Sequence, residues 1–160
     1  MHPTKIDIAE NARKSVTAIL QARLIDAIDL ASQMKQAHWN VKGPNFIALH
    51  QLFDQVHVAV TGHVDTIAER ITTLGGVAEG TVRVAAARTK LAEYPLKITD
   101  GADHVQAVVG ALAAFGKTVR ADIDETSNIG DADTADLFTE VSRDVDKQLW
   151  LVEAHAQAQR

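Results

Sequence analysis

The chain has 160 residues, of which 46% are hydrophobic and 23% are charged, with a net charge of −5 and no cysteine. This length suits one domain with a full hydrophobic core, and the hydrophobic content is too high for a disordered chain. The lack of cysteine excludes disulfides and thiolate metal sites, and the negative charge argues against a general nucleic-acid binder. No apolar run approaches the roughly 20 residues of a membrane span, and the start lacks a secretory signal, so we expect a cytoplasmic protein.

A long amphipathic helix is predicted from residue 7 or 8 to about Trp39, behind a short N-terminal tail of residues 1–7. Its apolar residues recur at intervals of three and four, which is the period of one buried helix face. His38 continues the same stripe, so its side chain is expected to point inward. A Gly-Pro pair then ends the pattern, and Asn45 is a candidate cap for the next helix. The apolar residues of this stripe are Val16, Leu20, Leu24, Ala27, Ala31 and Met34.

The second predicted helix runs from Asn45 to Leu74 and stops at two glycines. Beside its apolar face lies a polar stripe, which is well placed to meet a second subunit. The apolar residues of the buried face are Leu49, Phe53, Val56, Val60, Val64, Ile67, Ile71 and Leu74.

The polar stripe of the second helix carries two pairs of candidate metal ligands. His50 and Asp54 are four residues apart, and so are Asp65 and Glu69. Because Asp54 and Asp65 are eleven residues apart, the two pairs share a stripe but lie about 16 Å apart along the axis. No single metal ion bridges that gap within one chain. If two copies of the helix pack antiparallel about a two-fold axis near residues 59 and 60, each pair meets the other pair of the partner, and two equivalent sites form. The spacing therefore predicts a metal site between subunits.

The rest of the chain predicts two more long helices and a crossover. Residues 77–100 are irregular except for a short helix at Val82 to Lys90, and so long a link indicates a crossover between helices two and three. The third long helix begins at Asp100 and ends at residues 128–130. The segment from Asp133 to Asp136 is interpreted as a cap with an acidic first turn for the fourth helix. These elements predict an all-α four-helix bundle over residues 8–160. The apolar residues of the last two helices are Val105, Val108, Leu112, Phe115, Val119 and Ile123, then Leu137, Val141, Val145, Leu149 and Val152.

The run from Lys35 to Arg70 closely resembles the signature of the Dps proteins, the ferritin-like mini-ferritins of starved bacterial cells. The matching segments are KQAHWNVKGPNF, ALHQLFD, HVDTIAER and LGG. The similarity continues through YPL and DADTADLF to SRDVDKQLW, and so covers nearly the whole chain after the tail. The resemblance implies a ferritin-like four-helix bundle and a location in the bacterial cytoplasm or nucleoid.

The resemblance also implies a hollow dodecamer, built from two-fold dimers, that oxidises Fe²⁺, preferably with hydrogen peroxide, and stores ferric mineral. The family's ferroxidase ligands fall on His38, His50 and Asp54 of one subunit and on Asp65 and Glu69 of its two-fold mate. This two-iron site agrees with the spacing argument. It also accounts for the lack of the Glu-x-x-His pairs that hold two irons inside a single bundle. Carboxylates and imidazoles suit ferrous iron, and zinc or manganese are expected competitors.

Other residues near this signature have competing interpretations. Trp39 directly follows the ligand His38 and is expected to wall the site, with the quenching of a stray oxidising equivalent as the alternative. By resemblance, Asp131, Asp133 and Asp136 line negatively charged three-fold pores that admit Fe²⁺ to the shell. Helix capping is the alternative for Asp133 and Asp136.

The remaining histidines are not assigned to the main site. His57 and His63 lie near it but match no main ligand of the family, so a structural or hydrogen-bonding role is expected. His2, His104 and His155 are expected to be solvated.

Two classes of function remain open. The first is a ferroxidase and storage shell that protects DNA indirectly, by removing iron and peroxide. The second is a nucleoid-compacting DNA-binding protein with a secondary metal site. The best-known family members bind DNA through a lysine-rich tail, whereas this chain offers only Lys5 near its start and Arg160 at its end. A hydrolase that uses the same inter-subunit metal is a third, remote alternative. The presence of all five ligands favours the first class.

Overall fold

The computed structural model describes residues 1–157 and is all-helical over that range, with no β-strand. Its five helices are α1 (Glu10–Asn40), α2 (Phe46–Thr73), α3 (Val82–Arg88), α4 (Gly101–Ile129) and α5 (Ala132–Gln157). The predicted all-α bundle, with a short helix in a long crossover, is confirmed. None of the helices in the described range is both long enough and apolar enough to span a membrane.

The four long helices form two hairpins around one core. The α1–α2 hairpin and the α4–α5 hairpin have the most extensive contacts, and they meet where α1 packs on α4 and α2 packs on α5. Phe53, Phe115 and Phe138 are fully buried at the centre. All six apolar residues predicted for the first stripe are buried as well, because their spacing puts them on one face. The crossover carries α3, which packs on α1.

The helix ends follow local chain chemistry. Asp100 caps α4, since its carboxylate accepts a hydrogen bond of 2.8 Å from the amide of Ala102. Gly130 ends α4 with a φ of 98°, a conformation that favours glycine. Two details differ from the sequence prediction. The first helix begins at Glu10 rather than at residue 7 or 8, and Asn45 stands at the N-cap of α2 without a capping hydrogen bond from its side chain.

The cap of α5 is Asp131, not the predicted Asp133. The carboxylate of Asp131 accepts hydrogen bonds from the amide of Thr134 at 3.0 Å and from its hydroxyl at 2.6 Å. Its third partner is the guanidinium of Arg70 on α2, at 2.8 Å. Asp131 is 1% exposed, whereas the side chain of Asp133 is 85% exposed. The residue just before the helix reaches the free amides of the first turn, so the acid at position 131 takes this role.

The N-terminal tail lies against the end of α2. The amide of His2 donates a hydrogen bond of 2.7 Å to the carbonyl of Gly75, and the buried Arg13 donates to the carbonyls of Ile8 and Leu74. Gly75 has a φ of 89°, and a Cβ there would lie 2.5 Å from the carbonyl oxygen of His2. The tail is therefore attached to the end of α2 at His2, and Arg13 of α1 links Ile8 to the same end. Arg160, at the other end of the chain, lies outside the described residues.

The prediction that His104 is solvated is wrong. This residue is 1% exposed, and its Nδ1 accepts a hydrogen bond of 2.7 Å from the hydroxyl of Tyr94. Burial lowers the pKa of His104 and raises that of Tyr94. The error arose because the partner of His104 belongs to the crossover, whose path the helix pattern does not predict. His2 is exposed as predicted, and His155 is partly buried.

Candidate metal site

Two histidines brace the junction of α1 and α2. Nδ1 of His38 donates a hydrogen bond of 2.7 Å to the carbonyl of His50, and Nδ1 of His50 donates one of 2.8 Å to the carbonyl of His38. The two rings stack with their centroids 3.7 Å apart, and the ring of Phe46 lies 5.1 Å from that of His50. Both side chains are only partly buried. The pair is thus held rigidly at the rim of the groove between the two helices.

This bracing determines which nitrogen of each ring is free. In the neutral form of each ring, a proton on Nδ1 that is donated to a carbonyl leaves the lone pair on Nε2. Metal-binding histidines characteristically donate their other ring N–H to a carbonyl or carboxylate in this way, which fixes the tautomer and the ring orientation. His38 and His50 therefore have the protonation pattern that a metal ligand needs.

Asp54 lies one turn beyond His50 and is paired with a cation from α1. The ammonium of Lys35 donates a hydrogen bond to Oδ1 of Asp54. This bond holds the pKa of Asp54 below its ordinary value, with further lowering from the nearby His38 and His57. The carboxylate is therefore ionised at neutral pH and is able to act as a ligand. A metal ion that binds both its oxygens has to displace Lys35.

The second ligand pair lies on the other half of α2. Asp65 and Glu69 are both exposed, and neither forms an ion pair with another of residues 1–157. Since α2 is one continuous helix, Asp65 lies about 16 Å along the axis from Asp54. No three His, Asp or Glu side chains within the described range converge on a common metal position. One chain thus presents two half-sites, which are separate groups of candidate ligands: His38 of α1 with His50 and Asp54 of α2, and Asp65 with Glu69 further along α2.

The other predicted site residues are distributed around these half-sites or lie far from them. Trp39 is at the end of α1, next to His38 in sequence, and its side chain is 68% exposed. Asp133 is exposed on the first turn of α5, and Asp136 is exposed just beyond that turn. Asp131 is used internally, with Arg70 and Thr134. A pore-lining role is therefore kept for Asp133 and Asp136 only.

His57 and His63 both make the hydrogen bonds that the sequence analysis expected. Nδ1 of His57 donates a bond of 2.9 Å to the carbonyl of Ala31 on α1. Nε2 of His63 lies 2.7 Å from Oδ2 of Asp144 on α5. The two residues thus use opposite ring nitrogens.

Lys35 is the site residue that the sequence analysis did not identify as functional. It lies 19 residues before Asp54, and no local spacing rule connects the two positions. One signal was present, since Lys35 precedes His38 by three residues and so shares its helix face. The pairing becomes visible only when α1 and α2 are packed together.

Comparison with known proteins shows the family to which this fold belongs. The chain matches the family model of the ferritin-like domain over residues 17–160. It is thus a ferritin-like protein. It is 46% identical over 156 residues to the DNA protection during starvation protein of Agrobacterium fabrum, a match that covers 98% of this chain and 96% of that protein.

Two solved structures are similar over nearly their whole length. A Dps protein from Streptomyces coelicolor superposes with a TM-score of 0.91 at 34% identity, covering 98% of this chain and 92% of that one. Dps from Microbacterium arborescens in its high iron form gives a TM-score of 0.85 at 33% identity, covering 91% and 94%. The chain belongs to the Dps family of ferritin-like proteins.

Proposed function

We propose that this protein is an iron-oxidising storage shell that protects DNA by removing Fe²⁺ and hydrogen peroxide. In this proposal twelve subunits assemble from two-fold dimers, and each dimer interface holds two ferroxidase sites. The observation that carries the proposal is the two separate ligand pairs on α2, His50 with Asp54 and Asp65 with Glu69. In this proposal the protein is located in the bacterial cytoplasm. A relative named as a DNA protection protein supports a role near DNA.

The donor set suits iron as substrate. The two free imidazole nitrogens and three carboxylates would come from His38, His50 and Asp54 of one subunit with the partner's Asp65 and the partner's Glu69. Imidazole and carboxylate ligands bind ferrous iron, and carboxylates stabilise the ferric product. The Microbacterium arborescens relative, described in a high iron form, supports iron as the metal. Zinc and manganese are competitors at the same ligands.

The residues of this chain have distinct parts in the proposed reaction. Two Fe²⁺ ions and one hydrogen peroxide, with two protons, give two Fe³⁺ ions and two water molecules. Because the peroxide takes two electrons at once, no hydroxyl radical is released. The braced His38 and His50 orient the ions, while Asp54 and the partner's acids supply the negative charge that favours Fe³⁺. Trp39 closes the site against solvent, or takes up a stray oxidising equivalent.

Cations reach the interior of the shell through acidic pores in this proposal. Asp133 and Asp136 are the exposed acids at the start of α5, and three copies of each around a three-fold axis would concentrate Fe²⁺ electrostatically. The buried Asp131 supports them indirectly, because it fixes the first turn of α5 and is paired with Arg70.

Direct DNA binding is weak or absent in this proposal. Lys5 is one of few cations near the chain start, and the tail that carries it is attached to the end of α2 through the amide of His2. Twelve chains of net charge −5 carry about −60, which repels the DNA backbone. The compaction of DNA is therefore the less favoured alternative.

The decisive experiment removes the half-site that the partner would supply. We expect Asp65→Ala to oxidise Fe²⁺ with peroxide at least roughly tenfold more slowly than the wild type, because the site loses a ligand. Ferric absorbance after mixing gives the initial rate. Asp124→Ala, which removes an exposed acid from α4, is the matched control and should keep the wild-type rate. Equal rates in the wild type and Asp65→Ala would exclude the proposed site.

A further inference from the structure

The histidines of this protein differ in which ring nitrogen is left free. His63 has Nε2 on Asp144, and His104 is buried against Tyr94. His57 has a different arrangement, because its Nδ1 donates to the carbonyl of Ala31 and its Nε2 makes no hydrogen bond within the described range. This is the same pattern as in His38 and His50, the two imidazole ligands of the proposed site. In its neutral form His57 therefore presents a lone pair on Nε2, with the ring oriented by the bond from Nδ1 as in a metal ligand.

Next to His57 along α2 lies an acid with a free oxygen. Asp54 precedes His57 by three residues, so their side chains project from the same face about one turn apart. Lys35 occupies Oδ1 of Asp54, while Oδ2 has no hydrogen-bond partner among residues 1–157. A carboxylate and a histidine at this spacing form the two-ligand unit that helical bundles use to hold iron. Here the unit faces outward from the bundle rather than into its core.

The proposed two-fold axis brings a third ligand to His57 and Asp54. An axis between residues 59 and 60 sets the partner's Gly62 opposite His57 and the partner's Asp65 opposite Asp54. Gly62 has no side chain, and no atom lies within 4 Å of the position that a Cβ would take there. The partner helix therefore leaves room beside His57 and brings one more carboxylate within a turn of it.

We propose that His57, together with Asp54 and the partner's Asp65, binds an additional divalent transition-metal ion beside each ferroxidase site. This inference rests on the proposed function, because it needs the same dimer. Its ligands are an imidazole and two carboxylates, a set that suits Fe²⁺ or Zn²⁺. The ion lies nearer to the two-fold axis than the ferroxidase site, since His57 is one turn closer to it than Asp54. The dimer interface then holds an additional metal-binding site, from which an ion is transferred to the ferroxidase site.

Zinc binding to the assembled protein tests this assignment without any catalytic step. His57→Gln is the informative variant, because the glutamine amide still donates to the carbonyl of Ala31 but offers no imidazole. We expect equilibrium dialysis with metal analysis to give one zinc fewer per subunit for His57→Gln than for the wild type. His155→Gln, which changes a histidine on α5 far along the chain from this groove, is the matched control and should bind as the wild type does.

Two further measurements separate this inference from the proposed function. Asp65→Ala should lose zinc from both positions, and wild-type binding by that variant would contradict the proposed dimer site itself. If Asp65→Ala loses zinc but His57→Gln binds as much as the wild type, only the additional ion is excluded. Loss of all zinc in His57→Gln would also exclude it, because His57 would then belong to the main site. In zinc-soaked wild-type crystals, an anomalous peak at about 2.0–2.1 Å from Nε2 of His57 is expected, and its absence would overturn the assignment.

Discussion

Lys35 binds to Asp54 before any metal ion arrives, so an ion at this carboxylate competes with a cation of the same chain. The carboxylate is only partly shielded from solvent, with 44% of its side chain exposed. Water and salt therefore screen the ion pair, and its effect on metal affinity is modest. The pair holds Asp54 in place, and in the proposed site a metal ion that binds both oxygens of Asp54 displaces Lys35.

Replacing Lys35 with methionine tests this competition. We expect Lys35→Met to raise the zinc affinity of the assembled protein roughly two- to five-fold, because Asp54 is then free to bind the metal with both oxygens. Isothermal titration with Zn²⁺ gives the dissociation constants. Lys42→Met removes the same charge from an exposed position in the next loop and serves as the control. An unchanged or weaker affinity in Lys35→Met would contradict the competition.

A second titratable residue, Asp122, affects the free energy of unfolding rather than metal binding. Burial raises the pKa of Asp122 on α4 to about 6, even though Nε of Arg23 lies 2.8 Å from its Oδ2. These two atoms are not aligned for a hydrogen bond, so the attraction of Arg23 does not offset the burial. The folded chain thus holds the Asp122 proton more tightly than the unfolded chain, where the pKa is near 3.8.

This difference predicts a pH dependence of the free energy of unfolding. The contribution of Asp122 falls as the pH rises from about 4 to about 6 and is constant above that range, since the folded state binds more protons in the window. In Asp122→Asn this decline should disappear. Urea unfolding at several pH values between about 4 and 7 measures it. Asp124→Asn, two residues away and exposed, should keep the decline, and an identical pH profile for Asp122→Asn and the wild type would refute the prediction.

Among the helices, the start of α5 depends on one buried acid. Asp131 satisfies the first-turn amide and the hydroxyl of Thr134 and also pairs with Arg70, so it joins α5 to α2. Loss of this carboxylate would leave a charged guanidinium with its main partner removed. The second aspartate of the same segment, Asp133, has none of these contacts except a distant one to Arg70 at 4.0 Å.

Alanine substitutions at the two aspartates should therefore differ in effect. We expect Asp131→Ala to lower the free energy of unfolding by about 2–4 kcal/mol, from the lost cap and from the loss of the nearest acid to the partly buried Arg70. For Asp133→Ala we expect a change within about 0.5 kcal/mol, as for other exposed positions. Chemical unfolding of both variants at one protein concentration provides the comparison. Equal losses for the two variants would show that the cap has been assigned to the wrong residue.

The helices of this bundle could be predicted well from the sequence, because their apolar period of three and four is a local property. The ligand pairs on α2 could be predicted for the same reason, since each lies within one turn of one helix. Contacts between elements could not be predicted in this way. His104 meets Tyr94 of the crossover, and Lys35 meets Asp54 across a helix interface. The cap of α5 was misassigned because several aspartates compete for one position, and only the chain path selects Asp131.

For the whole molecule, charge and the course of the tail determine how the protein meets DNA. The N-terminal tail is attached to the end of α2 by the hydrogen bond from the amide of His2 to the carbonyl of Gly75. With a net charge of −5 in every chain, the assembled surface repels a polyanion. In the proposed function, protection of DNA therefore depends on the removal of iron and peroxide rather than on contact with DNA.

A gel-shift experiment tests this conclusion. We expect no shift of double-stranded DNA that survives about 0.15 M salt, because the few cations near the tail make too few phosphate contacts. Lys5→Ala should behave as the wild type does. A stable shift at moderate salt, reduced by Lys5→Ala, would instead support the DNA-compacting alternative. A parallel assay of DNA cleavage by Fe²⁺ and peroxide should show protection without any shift.

The separation of the two half-sites along α2 has a consequence for genetics. In the proposed dimer, a chain that lacks Asp54 still carries the other half, and a chain that lacks Asp65 still carries the first. When both kinds of chain are made in one cell, each mixed dimer has two different ferroxidase sites. One site lacks both Asp54 and Asp65, and the other keeps all its ligands. Mutations in opposite halves should therefore complement each other, whereas two mutations in the same half should not.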